Sequence, residues 1–269
     1  MRSVLLATFV LASCGPSAGG GSDGGGSGDV PSCTMSDFKN PTPLAGIVGN
    51  ASDPTANHDP LELWFSRTGI VPTYDIAGAL RASTTSSFDI GIAFSHNSGA
   101  TDRDPAFSGD GLTMVFISDR GGSLAIFEVR RTVTTSDFEP PVQLTLDVDA
   151  RIDNGIELSA DGLTLYVVDA AGDLRSMTRP DRGGAFGRLS DVLASGIISP
   201  SVSADELELF YGRTDTAGVY RRARDSKAGA FDKPETLVLA DAIEPDVAPD
   251  SERLYVKVAE FMELTRSCD

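Results

Sequence analysis

The chain of 269 residues has few basic side chains, two histidines and one tryptophan. Its 22 Lys and Arg stand against 39 Asp and Glu, a formal net charge of −17 that argues against a nucleic-acid partner. Neither histidine falls in an H-E-x-x-H segment, and residues 33–269 contain no G-x-S-x-G elbow and no G-x-x-x-x-G-K-[ST] phosphate loop. The sequence therefore disfavours zinc hydrolases, serine hydrolases of that type and P-loop enzymes.

Residues 1–13 have the pattern of an export signal, because Arg2 precedes a short apolar run at 4–11. The segment ends Leu11-Ala12-Ser13-Cys14, which resembles the bacterial lipobox. This resemblance implies that cleavage makes Cys14 the first residue of the mature chain, and that acyl chains on Cys14 hold the protein on a membrane. An ordinary secretory signal with an incidental cysteine is the alternative.

The residues after Cys14 are rich in glycine and serine, GPSAGGGSDGGGSGD at 15–29. Such a composition buries little apolar surface and is typical of a flexible tether. We therefore divide the chain into a signal peptide (1–13), a tether (14–32) and a folded body (33–269). Gly15 stands where many Gram-negative lipoproteins of the inner membrane carry Asp, so we expect residence in the bacterial cell envelope at the outer membrane.

A strand–turn–strand unit recurs along the body. Its clearest copy is DPAFSGDGLTMVFISDRGGSLAIFEVRR at 104–131, where two β-rich runs flank the polar turn SDRGG. Copies begin at Asn57, Ser108, Ser159, Ser203 and Ala248. Their intervals of 51, 51, 44 and 45 residues match the blade length of four-stranded propellers. The sequence predicts an all-β fold, a five-bladed β-propeller of four-stranded antiparallel blades.

Two further positions mark each unit. An aspartate lies two residues after each start, and we expect its carboxylate to accept backbone N–H bonds in the turn: Asp59, Asp110, Asp161, Asp205 and Asp250. A phenylalanine follows 27–31 residues after four of the starts and is expected to pack in the core near the outer strand: Phe88, Phe138, Phe186 and Phe231.

The last unit ends without an outer strand, and the beginning of the body supplies a matching segment. SDFKNPTPL at 36–44 agrees with SDFEPPVQL at 136–144 in residue type and spacing. We therefore expect the N-terminal strand to complete the last blade and close the ring, which removes open sheet edges. Cys33 and Cys268 flank this closure, and in an exported protein such a pair suggests a disulfide. Two free thiols are the alternative.

The segments S-G-D-G-L-T-M-V-F-I-S-D-R at 108–120 and S-A-D-G-L-T-L-Y-V-V at 159–168 resemble the WD40-like β-propeller repeat of the TolB type. The resemblance covers about residues 36–269 and weakens where the D-G pair becomes Asp59-Pro60 and Asp250-Ser251. It implies a propeller and, since members of this family are mostly periplasmic or surface binding modules, a binding role. Fold is implied more strongly than function.

The innermost strand of each blade should precede its unit, and one position on it is expected to line the central channel. Four residues before the starts lie Asp53, Asp104, Gly155, Ser199 and Glu244, and proline follows four of them. Solvated acids at a channel mouth are the simplest interpretation. A Ca²⁺ site at the mouth is a second, because Ca²⁺ favours clustered oxygen ligands, with Asp102, Asp104 and Asp153 as candidates.

Five-bladed glycoside hydrolases place two Asp and one Glu at the propeller centre. This resemblance makes Asp53, Asp104 and Glu244 candidate catalytic residues, although one tryptophan offers few aromatic platforms for sugars. The sequence favours a non-enzymatic binding or scaffold module for a protein or glycan of the envelope, without a cofactor unless Ca²⁺ binds at the mouth. A glycoside hydrolase and a purely structural envelope protein are the alternatives.

Two basic clusters end the third strands of their units. They are Arg130-Arg131 and the segment Arg221-Arg222-Ala223-Arg224. Charges on sheet edges commonly keep those edges soluble. We therefore expect these arginines to be exposed.

Replacing Cys14 with Ala should abolish acylation and release the protein from membranes, because acyl methylenes supply the membrane affinity. Labelling with a tagged fatty acid, followed by membrane fractionation, measures both effects. Cys33→Ala is the matched control and should keep the label. A label that persists in Cys14→Ala contradicts the lipobox interpretation.

Overall fold

The computed structural model describes residues 35–47, 49–68, 73–146, 152–213 and 215–267, with the backbone alone at 152–154. They belong to one compact unit, Met35–Asp269. Cys14, Cys33 and Cys268 lie outside the described residues, so lipidation and the disulfide stay predictions. Within those ranges, no helix is long and apolar enough to cross a membrane.

The described residues form twenty β-strands in five antiparallel sheets of four, and each sheet is one blade. Blade 1 contains β2 (Ala51–Ala56), β3 (Glu62–Thr68), β4 (Tyr74–Leu80) and β5 (Asp89–Ala93). Blade 2 contains β6 (Asp102–Phe107), β7 (Thr113–Ser118), β8 (Ala125–Arg130) and β9 (Val142–Gln143). Blade 3 contains β10 (Ile152–Leu158), β11 (Thr164–Asp169), β12 (Asp173–Thr178) and β13 (Ala194–Ser195).

The remaining two blades follow the same plan. Blade 4 contains β14 (Ile197–Val202), β15 (Glu208–Arg213), β16 (Gly218–Ala223) and β17 (Thr236–Ala240). Blade 5 contains β18 (Ile243–Val247), β19 (Arg253–Lys257), β20 (Phe261–Thr265) and β1 (Lys39–Pro43). The first strands β2, β6, β10, β14 and β18 contact one another in a closed ring around the channel. The prediction of a five-bladed propeller is confirmed.

The ring closes through the N-terminal strand. β1 pairs with β20, with Thr42 opposite Glu263 and Pro43 opposite Met262. Its outer side is exposed, and proline is tolerated there because an edge strand needs no donor on its solvent side. The predicted sharing of one sheet by the two ends of the body is confirmed.

The apolar core lies between blades. Five buried clusters each combine residues of two neighbouring blades. Trp64 of blade 1, for example, lies 5.7 Å from Phe107 and 6.4 Å from Phe138 of blade 2, measured between ring centroids. Burying a side chain of this size contributes about 1.5–3 kcal/mol, so blade stacking stabilises the ring.

The turn aspartates act as predicted. Asp110 Oδ1 accepts hydrogen bonds from Ser108 Oγ at 2.7 Å and from Leu112 N at 3.1 Å. Each of the other four turn aspartates likewise accepts a hydrogen bond from the backbone N–H of the residue two positions after it. The next residue is left-handed in four blades: Gly111, Gly162, Glu206 and Ser251, with φ of 58–74°. Glycine adopts this conformation without strain, which explains the D-G pair in the clearest copies.

Each blade also contains a buried arginine stacked on an aromatic ring. We call these five the arginine girdle: Arg81, Arg131, Arg179, Arg224 and Arg266, each at most 9% exposed. Their guanidinium carbons lie 4.3–4.7 Å from the ring centroids of Phe88, Phe138, Phe186, Phe231 and Phe38, in that order. Each Nε donates to the carbonyl of the residue after the turn aspartate, at 2.6–3.0 Å.

The girdle also joins neighbouring blades. In three cases the arginine pairs with a carboxylate of the preceding blade at 2.6–2.7 Å: Arg81–Glu263, Arg179–Glu128 and Arg266–Glu208. Arg224 instead donates to Tyr166 Oη of blade 3 at 2.7 Å. One side chain therefore fixes a turn, an outer segment and a blade interface together.

The expectation of exposed basic clusters is wrong for Arg131 and Arg224, which are 9% and 4% exposed. Both follow a third strand and fold back beneath the turn of their own blade, where a phenylalanine seven residues later covers them. Arg130, Arg221 and Arg222 keep side-chain exposures of 38%, 35% and 28%. Edge position alone did not decide burial.

Arg81→Met should lower the free energy of unfolding by about 3–5 kcal/mol, because it leaves the buried Glu263 carboxylate without its partner. Urea denaturation measures the loss. The double variant Arg81→Met/Glu263→Leu should recover part of it, and Arg188→Met, which removes an exposed arginine, should cost less than about 0.5 kcal/mol. Equal losses for Arg81→Met and Arg188→Met would contradict the role of the girdle.

Candidate functional site in the central channel

One residue from each innermost strand lies at the channel mouth in a left-handed backbone conformation. We call these five the mouth ring: Asp53, Asp104, Gly155, Ser199 and Glu244, with φ of 50°, 51°, 114°, 46° and 53°, all lining one cavity. The pairing of first and second strands shifts register at each of these points, as in a β-bulge. Left-handed non-glycine residues cost about 1–3 kcal/mol each and concentrate at functional sites. The mouth ring is therefore the candidate site.

Three mouth-ring residues are acids in consecutive blades of the ring, namely Glu244, Asp53 and Asp104 of blades 5, 1 and 2. Arg103 Nη1 lies 2.5 Å from Asp104 Oδ2, and Lys257 Nζ lies 3.8 Å from Glu244 Oε2. Burial, and then the neighbouring Asp53 carboxylate, hold the pKa of Asp104 well above its usual range. The same two causes raise the pKa of Glu244 to about 7, so burial and mutual repulsion both oppose charge on these two carboxyl groups.

A second polar layer lies two residues further along the innermost strands and includes Glu157 and Asp246. Burial raises the pKa of Asp246 to about 8, and burial together with the Asp246 charge raises the pKa of Glu157. Asp246 Oδ2 accepts a hydrogen bond from Ala56 N at 2.7 Å. Glu157 Oε1 accepts from Val202 N at 3.4 Å. Both carboxyl groups therefore bridge to the neighbouring blade.

The other channel contacts follow the same principle. Glu244 Oε2 accepts from Asp53 N at 3.0 Å, and the Ser66 and Ser201 hydroxyls accept from the backbone N–H groups of Asp104 and Val247, both at 2.9 Å. The inner edge of each first strand has no neighbouring strand to accept its N–H groups. Side chains of the adjacent blade supply the acceptors that buried donors require.

The channel is narrow. The cavity inside the mouth ring measures about 30 Å³, and a second cavity, lined in part by Glu157 and Asp246, measures about 20 Å³. Spaces of this size accommodate one or two water molecules. Sites for small organic ligands commonly measure about 300–1,000 Å³.

The structure separates two of the proposed calcium ligands. Asp102 is fully buried and accepts from Ser98 N at 2.5 Å and from Arg120 Nη2 at 2.6 Å, away from the cavity that Asp104 lines. The side chain of Asp153 lies outside the described residues. Among the residues described, no group of three or more His, Cys, Asp or Glu is arranged to hold a metal ion. Calcium binding stays a prediction.

The five mouth-ring positions lie where the repeat predicts them, whereas Glu157 and Asp246 were not predicted. Their signal was available, because each follows a mouth-ring residue by two positions, as in Glu244-Pro245-Asp246. Residues two apart on a strand share a face.

No family model matches the sequence, and no curated protein matches it either. Solved structures do match. The catalytic domain of the GH62 α-L-arabinofuranosidase of Coprinopsis cinerea is 11% identical, with a TM-score of 0.59 over 88% of this chain and 98% of that chain. A protein of Agrobacterium tumefaciens assigned as TolB is 14% identical, with a TM-score of 0.51 over 84% of this chain and 78% of that one.

TolB of Acinetobacter baumannii is also 14% identical, with a TM-score of 0.47 over 81% of this chain, which spans only 55% of that protein's length. Similarities at this level of identity concern the fold. The class defined by fold and site is thus a five-bladed β-propeller with an acidic, narrow channel mouth. The TolB-type resemblance of the repeat is confirmed as a similarity of fold.

Stability should fall as the pH rises. A carboxyl group whose pKa is raised by folding binds its proton more tightly in the folded chain, so the free energy of unfolding drops between its unfolded and folded pKa values. For Asp246 this window runs from 3.8 to about 8, with a slope of about 1.4 kcal/mol per pH unit. Urea denaturation of the wild type and Asp246→Asn across this window should show a shallower slope in the variant.

Asp232→Asn is the matched control, because Asp232 is exposed and lines neither of the two channel cavities. It should keep the slope of the wild type. Identical slopes in Asp246→Asn and the wild type would show that the channel carboxyls do not govern the pH dependence.

Proposed function

We propose that this chain is a non-enzymatic binding module of the bacterial cell envelope, anchored through a lipid on Cys14, that presents the propeller to a protein or glycan. The location rests on the lipobox at 11–14, the predicted tether at 14–32 and the acidic composition. The binding role rests on the ring itself, because a closed ring of packed blades holds its loops and clefts in fixed positions.

The observation that carries the proposal is that channel acids form hydrogen bonds between neighbouring blades. Glu244, Asp246 and Glu157 accept backbone N–H groups of an adjoining blade around a cavity of about 30 Å³. A hydrolase would need Glu244, which is one of its three candidate acids, free to reach a substrate, with space for a sugar ring between the catalytic carboxyl groups. Hydrogen bonding between blades accounts for their presence without catalysis.

A glycoside hydrolase is the second candidate, and one observation favours it. Asp53, Asp104 and Glu244 lie at one mouth, and the pKa of Glu244 is raised to about 7, the range that suits a general acid. The GH62 arabinofuranosidase shares the propeller fold. In this alternative Glu244 is the acid, Asp53 or Asp104 is the base, and the mouth opens to admit the glycan.

The test measures binding and turnover on the same mature protein. We expect saturable binding to an envelope glycan or envelope protein in an array format, with no release of chromophore from a panel of aryl glycosides or of sugar from polysaccharides. The variants Asp104→Asn and Glu244→Gln should bind as the wild type does. Turnover by the wild type that disappears in both variants but persists in Asp232→Asn would replace this proposal with the hydrolase.

A further inference from the structure

Arg131 differs from the other members of the arginine girdle. Its Nε donates to Gly111 O at 2.8 Å and it stacks on Phe138 at 4.6 Å, as its counterparts do. Its Nη2 atom is buried and has no hydrogen-bond partner among the described residues, which is also true of Arg179 Nη2, but no oxygen of the preceding blade is found on a terminal nitrogen of Arg131 in the part of the chain described. In the other four blades a carboxylate or phenol oxygen of the preceding blade lies 2.6–2.7 Å from a terminal nitrogen.

The missing carboxylate has a cause in the sequence. Val115 and Tyr255 each lie five residues after the turn aspartate of their blade. In the strand pairing Glu128 is opposite Val115, and Glu263 is opposite Tyr255. The residue at the corresponding point of blade 1 is Gly78, opposite Trp64. A Cβ on Gly78 would lie 3.2 Å from Trp64 Cδ2 and 3.0 Å from Ile92 Cβ. The indole thus takes the space where other blades keep an acid.

The nearest alternative acid is Glu62, which stands at the position of Glu208 in blade 4, three residues after the turn aspartate. Glu62 Oε1 accepts a hydrogen bond from Trp64 Nε1 and forms no ion pair with Arg131 within 4.0 Å in the part of the chain described. Burial lowers the pKa of Arg131, and the Glu62 charge opposes this. Arg131 therefore remains a buried cation without a directly bound anion.

A pocket of about 170 Å³ adjoins this cation between blades 1 and 2. We call it the rim pocket, and its lining includes Trp64, Arg131, Thr135 and two acids, Glu62 and Asp137. Its size is close to that of an engineered protein cavity of about 150 Å³ that binds benzene. One six-membered ring or one terminal residue of a peptide fits such a space.

We propose that the rim pocket binds a carboxylate-bearing ligand whose carboxylate pairs with Arg131 beside the Trp64 indole, and so supplies the anion that the preceding blade supplies elsewhere in the girdle. We infer a carboxylate because three of the other girdle arginines pair with glutamate carboxylates. Guanidinium and carboxylate groups form charge-assisted hydrogen bonds, which are about twice as strong as neutral ones. The inference deepens the proposed binding role and rests on it, since it names the group that the partner presents.

Two sources of the carboxylate are distinguished by two pairs of probes, titrated calorimetrically into the mature protein. Glucuronate is compared with glucose, and a short peptide with a free C-terminus is compared with its C-terminal amide. Binding of either acid at least about tenfold tighter than its neutral analogue supports the inference, and the pair that responds identifies the source. Equal binding of acid and neutral analogue, or no binding of either acid, overturns it.

Two rim variants test the position of the site without disturbing the core. Thr135 and Thr132 are both exposed, and only Thr135 lines the rim pocket. Thr135→Glu should weaken the acid at least about tenfold by placing a competing carboxylate beside Arg131, whereas Thr132→Glu adds the same charge and should change the affinity less than about twofold. Equal effects of the two variants overturn the site.

Arg131→Gln completes the test, with Arg81→Gln as its matched control. Both variants remove a girdle cation, but only the first should lose the preference for the acid over its neutral analogue. A preference that survives in Arg131→Gln overturns the inference alone, whereas glycoside turnover that depends on the channel acids overturns the proposed function alone.

Discussion

The fold depends on a buried cation held over an aromatic ring in every blade. Each girdle arginine donates to the carbonyl beside the turn aspartate and covers the phenylalanine of the outer segment, and four of the five also bind an oxygen of the preceding blade. A buried charge is stabilising only when its hydrogen bonds are satisfied. The turn, the outer segment and the neighbouring blade are therefore fixed together, because each satisfies part of one guanidinium group.

On the inner side of the ring, backbone N–H groups of the first strands lack a neighbouring strand to bind them. Carboxylates and hydroxyls from neighbouring blades accept hydrogen bonds from these donors, and burial raises the pKa of the three carboxyl groups involved, Glu157, Glu244 and Asp246. These three channel acids therefore each hold one blade against the next. The left-handed mouth ring is compatible with the same explanation, since a bulge in each first strand accompanies these contacts.

Departures from the repeat distinguish one blade interface from another. In blade 4 the girdle arginine binds Tyr166 Oη, which in turn donates to Glu206 Oε2 at 2.7 Å, so the contact is rebuilt with other atoms. In blade 2 it is not rebuilt, because Gly78 and Trp64 occupy the place of the acid. A repeat protein supplies its own comparison, and Arg131 stands out only against its four counterparts.

The sequence by itself determined the number of blades, the closure by residues 36–44 and the five mouth-ring positions, because turn aspartates, strand runs and spacings are local patterns that recur. It also contained four of the five girdle pairs as an interval of seven residues, as between Arg179 and Phe186, whereas Arg266 finds its phenylalanine, Phe38, at the other end of the body. Only the tertiary structure decided that Arg131 and Arg224 are buried, that Asp102 turns away from the channel towards Arg120, and that Glu157 and Asp246 share its interior. These outcomes depend on which blade lies next to which, and contacts between residues far apart in the chain leave no local pattern.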